Sequence, residues 1–318
     1  MADAISLREA FGRALVAAGE RRDDFVVLDA DVAGGTGAYH FKQRFPLRFY
    51  DFGIAEQNMM AAAAGIAATG LTPFVTTFAV FATMRACEQL RTFVAYPNLD
   101  VKVAGSHCGL DVGPDGATAQ ALEDLAMMRA IPNLTVVAPA DPVEMAQAVD
   151  AILDRPGPVY LRTGRSPVPT LFGADHDFAI GRAQVLEDGR DVTLVACGTM
   201  VHRALAAAAM LVRRGITARV VNCPTVKPLD VDCLVESAVR TGAIVTCEDH
   251  SVIGGLGGAV AEALGVHGPT PMAMVGVRDR FGASGDPEAL VAHFGIGAAD
   301  IAEAARTLVR AKGARRRA

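Results

Sequence analysis

The chain has 318 residues, enough for two domains with separate cores. Hydrophobic residues make up 51 %, Trp is absent and the formal net charge is −5, which excludes a nucleic-acid surface as its main business. No apolar run reaches membrane-span length, and Met1-Ala2-Asp3-Ala4 has neither the basic start nor the apolar core of a secretory signal, so a cytoplasmic protein is expected.

Ser6 caps a helix expected over 7–19, and residues 25–28 read as a strand that runs out into Asp29-Ala30-Asp31. Residues 48–52 have strand composition, Gly53 permits a sharp turn, and 59–68 form a small, apolar helix buried on nearly every side. Glu56 stands at that junction. It reads either as a helix-terminal acid or as a carboxyl in low dielectric, where its pKa should rise toward neutrality. Strands follow at 72–77 and 101–104 with a helix over 81–96 between them, and a long polar loop, 106–118, carries His107 and Asp115. A strand at 134–138, a helix opened by Asp141-Pro142 and a strand at 158–162 complete the first set. Continuous apolar strands separated by helices indicate a parallel sheet covered on both faces.

Residues 166–189 are rich in Pro, Gly, Asp and His without periodicity and read as a linker between a first domain, 1–165, and a second, 190–318. The second set has strands at 192–196, 218–222 and 243–247, then Gly254-Gly255-Leu256-Gly257-Gly258 leading into an Ala-rich helix, and a terminal helix over 299–311. The glycine run departs from dinucleotide spacing, so close approach of helix to sheet is its expected role. The fold class is therefore α/β, with two doubly wound domains. Arg315-Arg316-Arg317 reads as a solvated tail. The six cysteines form no CxxC pair, which predicts reduced, mostly buried thiols rather than a disulfide frame or zinc site. A His107–Cys108 nucleophile has nothing else in its favour.

Phe52-Gly53-Ile54-Ala55-Glu56-Gln57-Asn58 resembles the cofactor-activating segment of the transketolase family, and the likeness runs from Arg8 to about Leu308. It covers the pyrimidine-binding and C-terminal domains only. The resemblance implies a thiamine-diphosphate-binding pyrimidine fold followed by a transketolase C-terminal-like fold. Glu56 is then the acid that bonds the aminopyrimidine ring and lets its exocyclic nitrogen take the thiazolium proton, the hard chemistry being the cofactor's own. Phe78, Phe81, Met84 and Asp31 line the cofactor, with Phe81 as the stacking ring. His107 acts in catalysis and in substrate binding, alongside Arg8, Asp115 and one or both of Arg162 and Arg165. His250 and Arg278 are structural or interfacial.

The family's Gly-Asp-Gly segment for metal and diphosphate is missing; Pro114-Asp115-Gly116 lacks its context, so no metal ligands are assigned. The resemblance thus implies one subunit of a split transketolase. An N-terminal partner would supply most of the Mg²⁺ and diphosphate site in an α₂β₂ assembly, moving a two-carbon ketol unit from a ketose or ketose phosphate to an aldose. Ala119 stands where the family has a histidine, and Val32-Ala33-Gly34-Gly35 where it has a serine-bearing stretch. Both changes remove polar contacts to the sugar, not to the cofactor. Alternatives are a related thiamine enzyme (1-deoxyxylulose-5-phosphate synthase-like, or a 2-oxo-acid dehydrogenase beta subunit) and a non-catalytic assembly subunit.

Overall fold

The computed structural model describes the backbone of residues 4–315 and the side chains of 4–312; Arg316 and Arg317 of the basic tail lie outside the described residues. Its strands, in chain order, are β1 (Ile5–Ser6), β2 (Phe25–Asp29), β3 (Phe49–Asp51), β4 (Thr72–Phe78), β5 (Lys102–Ser106), β6 (Thr135–Val137), β7 (Val159–Thr163), β8 (Pro167–Val168), β9 (Gln184–Glu187), β10 (Val192–Ala196), β11 (Ala218–Asn222), β12 (Thr225–Lys227), β13 (Ile244–Ser251) and β14 (Met272–Val277).

Seven strands form the first sheet in the order β12-β6-β7-β5-β4-β2-β3, and five form the second in the order β14-β13-β10-β11-β9. All neighbours run parallel except β12 against β6 and β9 against β11. Parallel strands bury both faces, and β2 shows how its apolar run is divided. Phe25 and Val27 pack with the helices Leu7–Arg21 and Pro142–Leu153, while Val26 and Leu28 pack with the helix Glu56–Ala68 and with Leu90 and Val94. Ser6 and Asp141 cap their helices as expected, each accepting from the amide three residues on, of Glu9 at 3.3 Å and Glu144 at 2.7 Å.

Three local expectations change. The segment 166–189 is not irregular throughout: β8 within it pairs with β1, and β9 is an edge strand of the second sheet. Residues Thr225–Lys227, from the second half of the chain, add an antiparallel edge to the first sheet. The helix expected over 81–96 is broken into two π-helical turns, Phe81–Arg85 and Leu90–Ala95, around a short α-helical turn. The glycine run does bring helix to sheet. A Cβ on Gly255 would collide with the Glu248 carboxylate, and one on Gly257 would sit 2.9 Å from Met274 Sδ and Thr246 Oγ1.

A buried polar cluster joins the two sheets. The Arg162 Nε donates to Asp124 Oδ2 at 2.8 Å, and its Nη2 to the Asp249 carbonyl at 2.8 Å. Asp249 in turn accepts from the Leu110 amide at 2.8 Å. Glu248 accepts from the first amides of the helix Leu256–His267, at 2.7 and 2.8 Å. Burial pushes Glu248 up to about 7 and Asp249 up to about 6, and pushes His250 down to about 4. His250 is fully buried in this cluster, whereas Arg278 is exposed. All six cysteines are free, four of them buried. Among the described residues no helix is long and apolar enough to cross a membrane, and no group of three or more His, Cys, Asp or Glu side chains gathers as a metal site.

Candidate active site

In a parallel α/β sheet, ligands sit beyond the carboxyl ends of the strands. Those of β2, β3, β4, β5 and β7 deliver Asp31, Glu56, Phe78, His107 and Arg165 respectively. At the end of β3 the chain turns through Gly53, which has φ +67°, and the Asp51 carboxylate accepts from the Gly53 amide at 3.0 Å and the Asp31 amide at 3.1 Å. That turn starts the helix Glu56–Ala68 at Glu56, whose residue is 2 % exposed.

The burial expected of Glu56 is therefore present, but the carboxylate is not alone. Arg85 Nη1 donates to both of its oxygens, each at 2.9 Å, so no oxygen is spent as a helix cap. The Arg85 guanidinium lies 4.3 Å from the Phe81 ring centre. Phe81 stacks on Phe78 at 5.8 Å, and Phe78 stacks on the His107 ring at 3.8 Å. Glu56, Arg85, Phe81, Phe78 and His107 form one continuous row.

His107 follows β5 with φ +61°, and its ring is buried. Its Nδ1 is 2.9 Å from Ser106 Oγ, and its Nε2 is 3.8 Å from Asp115 Oδ2. Burial first, then the nearby Arg8 and Arg165 charges, push the imidazole down to about 4, with Asp115 opposing. The ring is neutral near pH 7. Arg8 Nη1 donates to the Gly35 carbonyl at 3.1 Å, and burial and the Arg165 charge lower its pKa from the ordinary arginine value. Arg165 Nη1 donates to the Val112 carbonyl at 2.8 Å, and its Nη2 is 3.8 Å from Asp115 Oδ1. Two guanidinium groups and a neutral imidazole thus converge, with the carboxylates of Asp115 and Asp111 close to them.

Gly35 has a steric reason to be glycine: a Cβ there would stand 2.8 Å from the Phe78 ring and 3.5 Å from His107. The Phe78–His107 stack fills the space of a side chain at 35. Ala119 is buried, and the next residue, Gln120, donates across to the Ala283 carbonyl at 2.9 Å.

Some expected site residues are placed differently. Arg162 lies in the buried cluster between the sheets, where its Nε and Nη2 donate to Asp124 and to the Asp249 carbonyl, a structural position rather than one in the row. Met84 is 43 % exposed, and its neighbour Arg85 is the residue that covers Phe81. Asp31 is exposed beside the row, with φ +61°. Arg85 and Ser106 were not singled out in the sequence. Arg85 is four residues after Phe81, a spacing that puts both on one helical face, and this was the available signal. A cleft of about 500 Å³ opens beside Arg8, lined by Glu9, Arg13, Gly34, Tyr39 and His40; Glu56 and His107 are not among its walls.

Residues 3–170 match the family model "Transketolase, pyrimidine binding domain", and 181–301 match "Transketolase, C-terminal domain". The 6-deoxy-6-sulfo-D-fructose transketolase subunit of Clostridium sp. is 42 % identical over 96 % of this chain and 95 % of its own length. Transketolase of Homo sapiens is 39 % identical over 96 % of this chain but only 49 % of its own length. A solved structure described as "Split gene transketolase, inactive beta4 tetramer" superposes with a TM-score of 0.89 at 47 % identity, covering 97 % of this chain and 99 % of that one. The chain belongs to the transketolase family, and carries that family's pyrimidine-binding and C-terminal domains.

Proposed function

We propose that this chain is one subunit of a two-chain, thiamine-diphosphate-dependent transketolase that passes a two-carbon ketol unit from a ketose or ketose phosphate to an aldose. The observation that carries the reading is the buried Glu56 carboxylate at a helix start, next to a stacked aromatic pair that leads to His107. A buried carboxylate beside an aromatic face fits the aminopyrimidine half of the cofactor. When bound, the cofactor supplies the nucleophilic carbon that opens and remakes the bond beside the sugar carbonyl.

This chain's residues then have distinct tasks. Glu56 holds the proton relation at the ring nitrogen, and Phe81 with Phe78 gives the ring its wall. His107, neutral and oriented by Ser106, offers Nε2 to a sugar hydroxyl and can take or return its proton. Arg8 and Arg165 suit an anionic group at the far end of the sugar, phosphate or sulfonate, through the planar guanidinium fork. Asp115 sits between them as a hydroxyl acceptor, and Asp31 flanks the row. With glycine at 35 and alanine at 119, two family donors to the sugar are absent, so the preferred substrate pair differs from ordinary pentose phosphates.

The metal and diphosphate belong mainly to an N-terminal partner subunit, in an α₂β₂ assembly with Mg²⁺. In support, relatives of this chain's own length are described as a subunit and as an inactive β4 tetramer, and the chain matches half the length of the human enzyme. The test is to assay donor cleavage with thiamine diphosphate and Mg²⁺ for the purified chain and for the chain with its partner. Turnover is expected from the pair alone; full transketolase turnover from the single chain contradicts the reading.

A further inference from the structure

The row of rings ends on a guanidinium rather than on open space. Arg85 lies over Phe81 with its Cζ 4.3 Å from the ring centre, while its Nη1 donates to both oxygens of Glu56 at 2.9 Å. An aminopyrimidine needs the same two partners, an aromatic wall for its face and a carboxylate for its edge. A guanidinium is also planar, stacks on aromatic faces and presents N–H groups to a carboxylate.

We infer that Arg85 occupies the aminopyrimidine seat in the free subunit and must be displaced before the cofactor ring can bind. This rests on the proposed function, since it takes Glu56 and Phe81 as the ring's partners. The backbone supports it. Phe81–Arg85 is a π-helical turn, closed by the Ala86 amide donating to the Phe81 carbonyl five residues back at 3.1 Å. The wider turn sets Arg85 above Phe81, and such turns recur at functional sites. The Arg85 side chain is 46 % exposed, so it has a way out into solvent, whereas Glu56 at 2 % has none.

A seat filled by its own side chain weakens apparent affinity in proportion to the fraction of molecules in which it is open. Removing the occupant must therefore tighten binding, the reverse of what a ligand-holding arginine would show. The experiment is calorimetric titration of the purified full chain with the isolated ring, 4-amino-5-hydroxymethyl-2-methylpyrimidine. Arg85→Ala should bind it at least about tenfold more tightly than wild type, equivalent to a seat open in about a tenth of wild-type molecules. Arg85→Lys, which keeps the charge but loses the planar fork, should fall between them. Adding Glu56→Gln to Arg85→Ala should abolish binding. Equal or weaker binding by both Arg85 variants, with Glu56→Gln still abolishing it, overturns the competition and leaves the cofactor reading standing. Binding indifferent to Glu56→Gln, or absent from every variant, overturns both.

Discussion

Glu56 and His107 show how one sheet edge sets two side chains to different work. Glu56 is sealed at the start of its helix, and its only exposed neighbour in the row is Arg85. In the assembled enzyme, Glu56→Gln should lower kcat by about 10²–10⁴, the usual worth of a positioned acid or base. It should shift the melting temperature little, because Arg85 is half in solvent and such pairs contribute little stability. Steady-state kinetics with the reconstituted pair checks this, and turnover within tenfold of wild type would remove Glu56 from catalysis. His107 pays for its burial in acid. Its folded-state pKa is pushed from 6.5 down to about 4, so the unfolded chain binds a proton there that the folded chain refuses. Stability contributed at this site is intact above pH 6.5 and is lost as pH falls toward about 4, on the order of 3 kcal/mol in full. His250 acts in the same direction, while Glu248 and Asp249 act in the opposite one, so the comparison has to be differential. Melting curves of His107→Asn should fall less steeply than wild type from pH 6.5 to 4; parallel curves contradict the assignment.

At the level of elements, what could be read ahead was the part governed by local rules. The apolar runs at 25–28 and 192–196, the Ser6 cap and the Asp141-Pro142 helix start all form where their chemistry predicts. The glycine run also does what its small residues allow. What escaped depends on partners distant in the chain. β8 and β9 are short strands whose pairing is completed by β1 and β11, and β12 crosses to the other sheet. The π-helical turns leave no mark in composition; the i,i+4 spacing hints at the Arg85–Phe81 contact, and the widened turn Phe81–Arg85 is where that contact forms while Met84 is left half exposed. The sequence does not distinguish Arg162 from Arg165; β7 does, with Arg162 reaching into the joint between the sheets and Arg165 lying past the strand end. Their variants should therefore separate. Arg162→Met strands a buried Asp124 and should cost about 3–5 kcal/mol in urea denaturation. Arg165→Met should cost under about 1 kcal/mol, with a partly exposed side chain, yet raise KM for an anionic donor sugar at least tenfold. The opposite pattern would return Arg162 to the sugar site.

Taken whole, the molecule is two parallel sheets locked through a charged cluster, with one sheet borrowing an edge strand from the other half of the chain. That cluster ties β7 of the first sheet to β13 of the second through Arg162 and Asp249. The carboxyl edge of the first sheet carries an acid, an aromatic wall, a neutral imidazole and two arginines, the groups that the proposed function assigns to the cofactor ring and the sugar. The most direct measurement is a crystal structure of this chain assembled with its partner, thiamine diphosphate and Mg²⁺. The account predicts the aminopyrimidine against Phe81, with Glu56 within about 2.6–3.2 Å of the ring nitrogen and Arg85 turned out to solvent. A ring seated elsewhere, or Glu56 still paired only with Arg85 beside a bound cofactor, would contradict it.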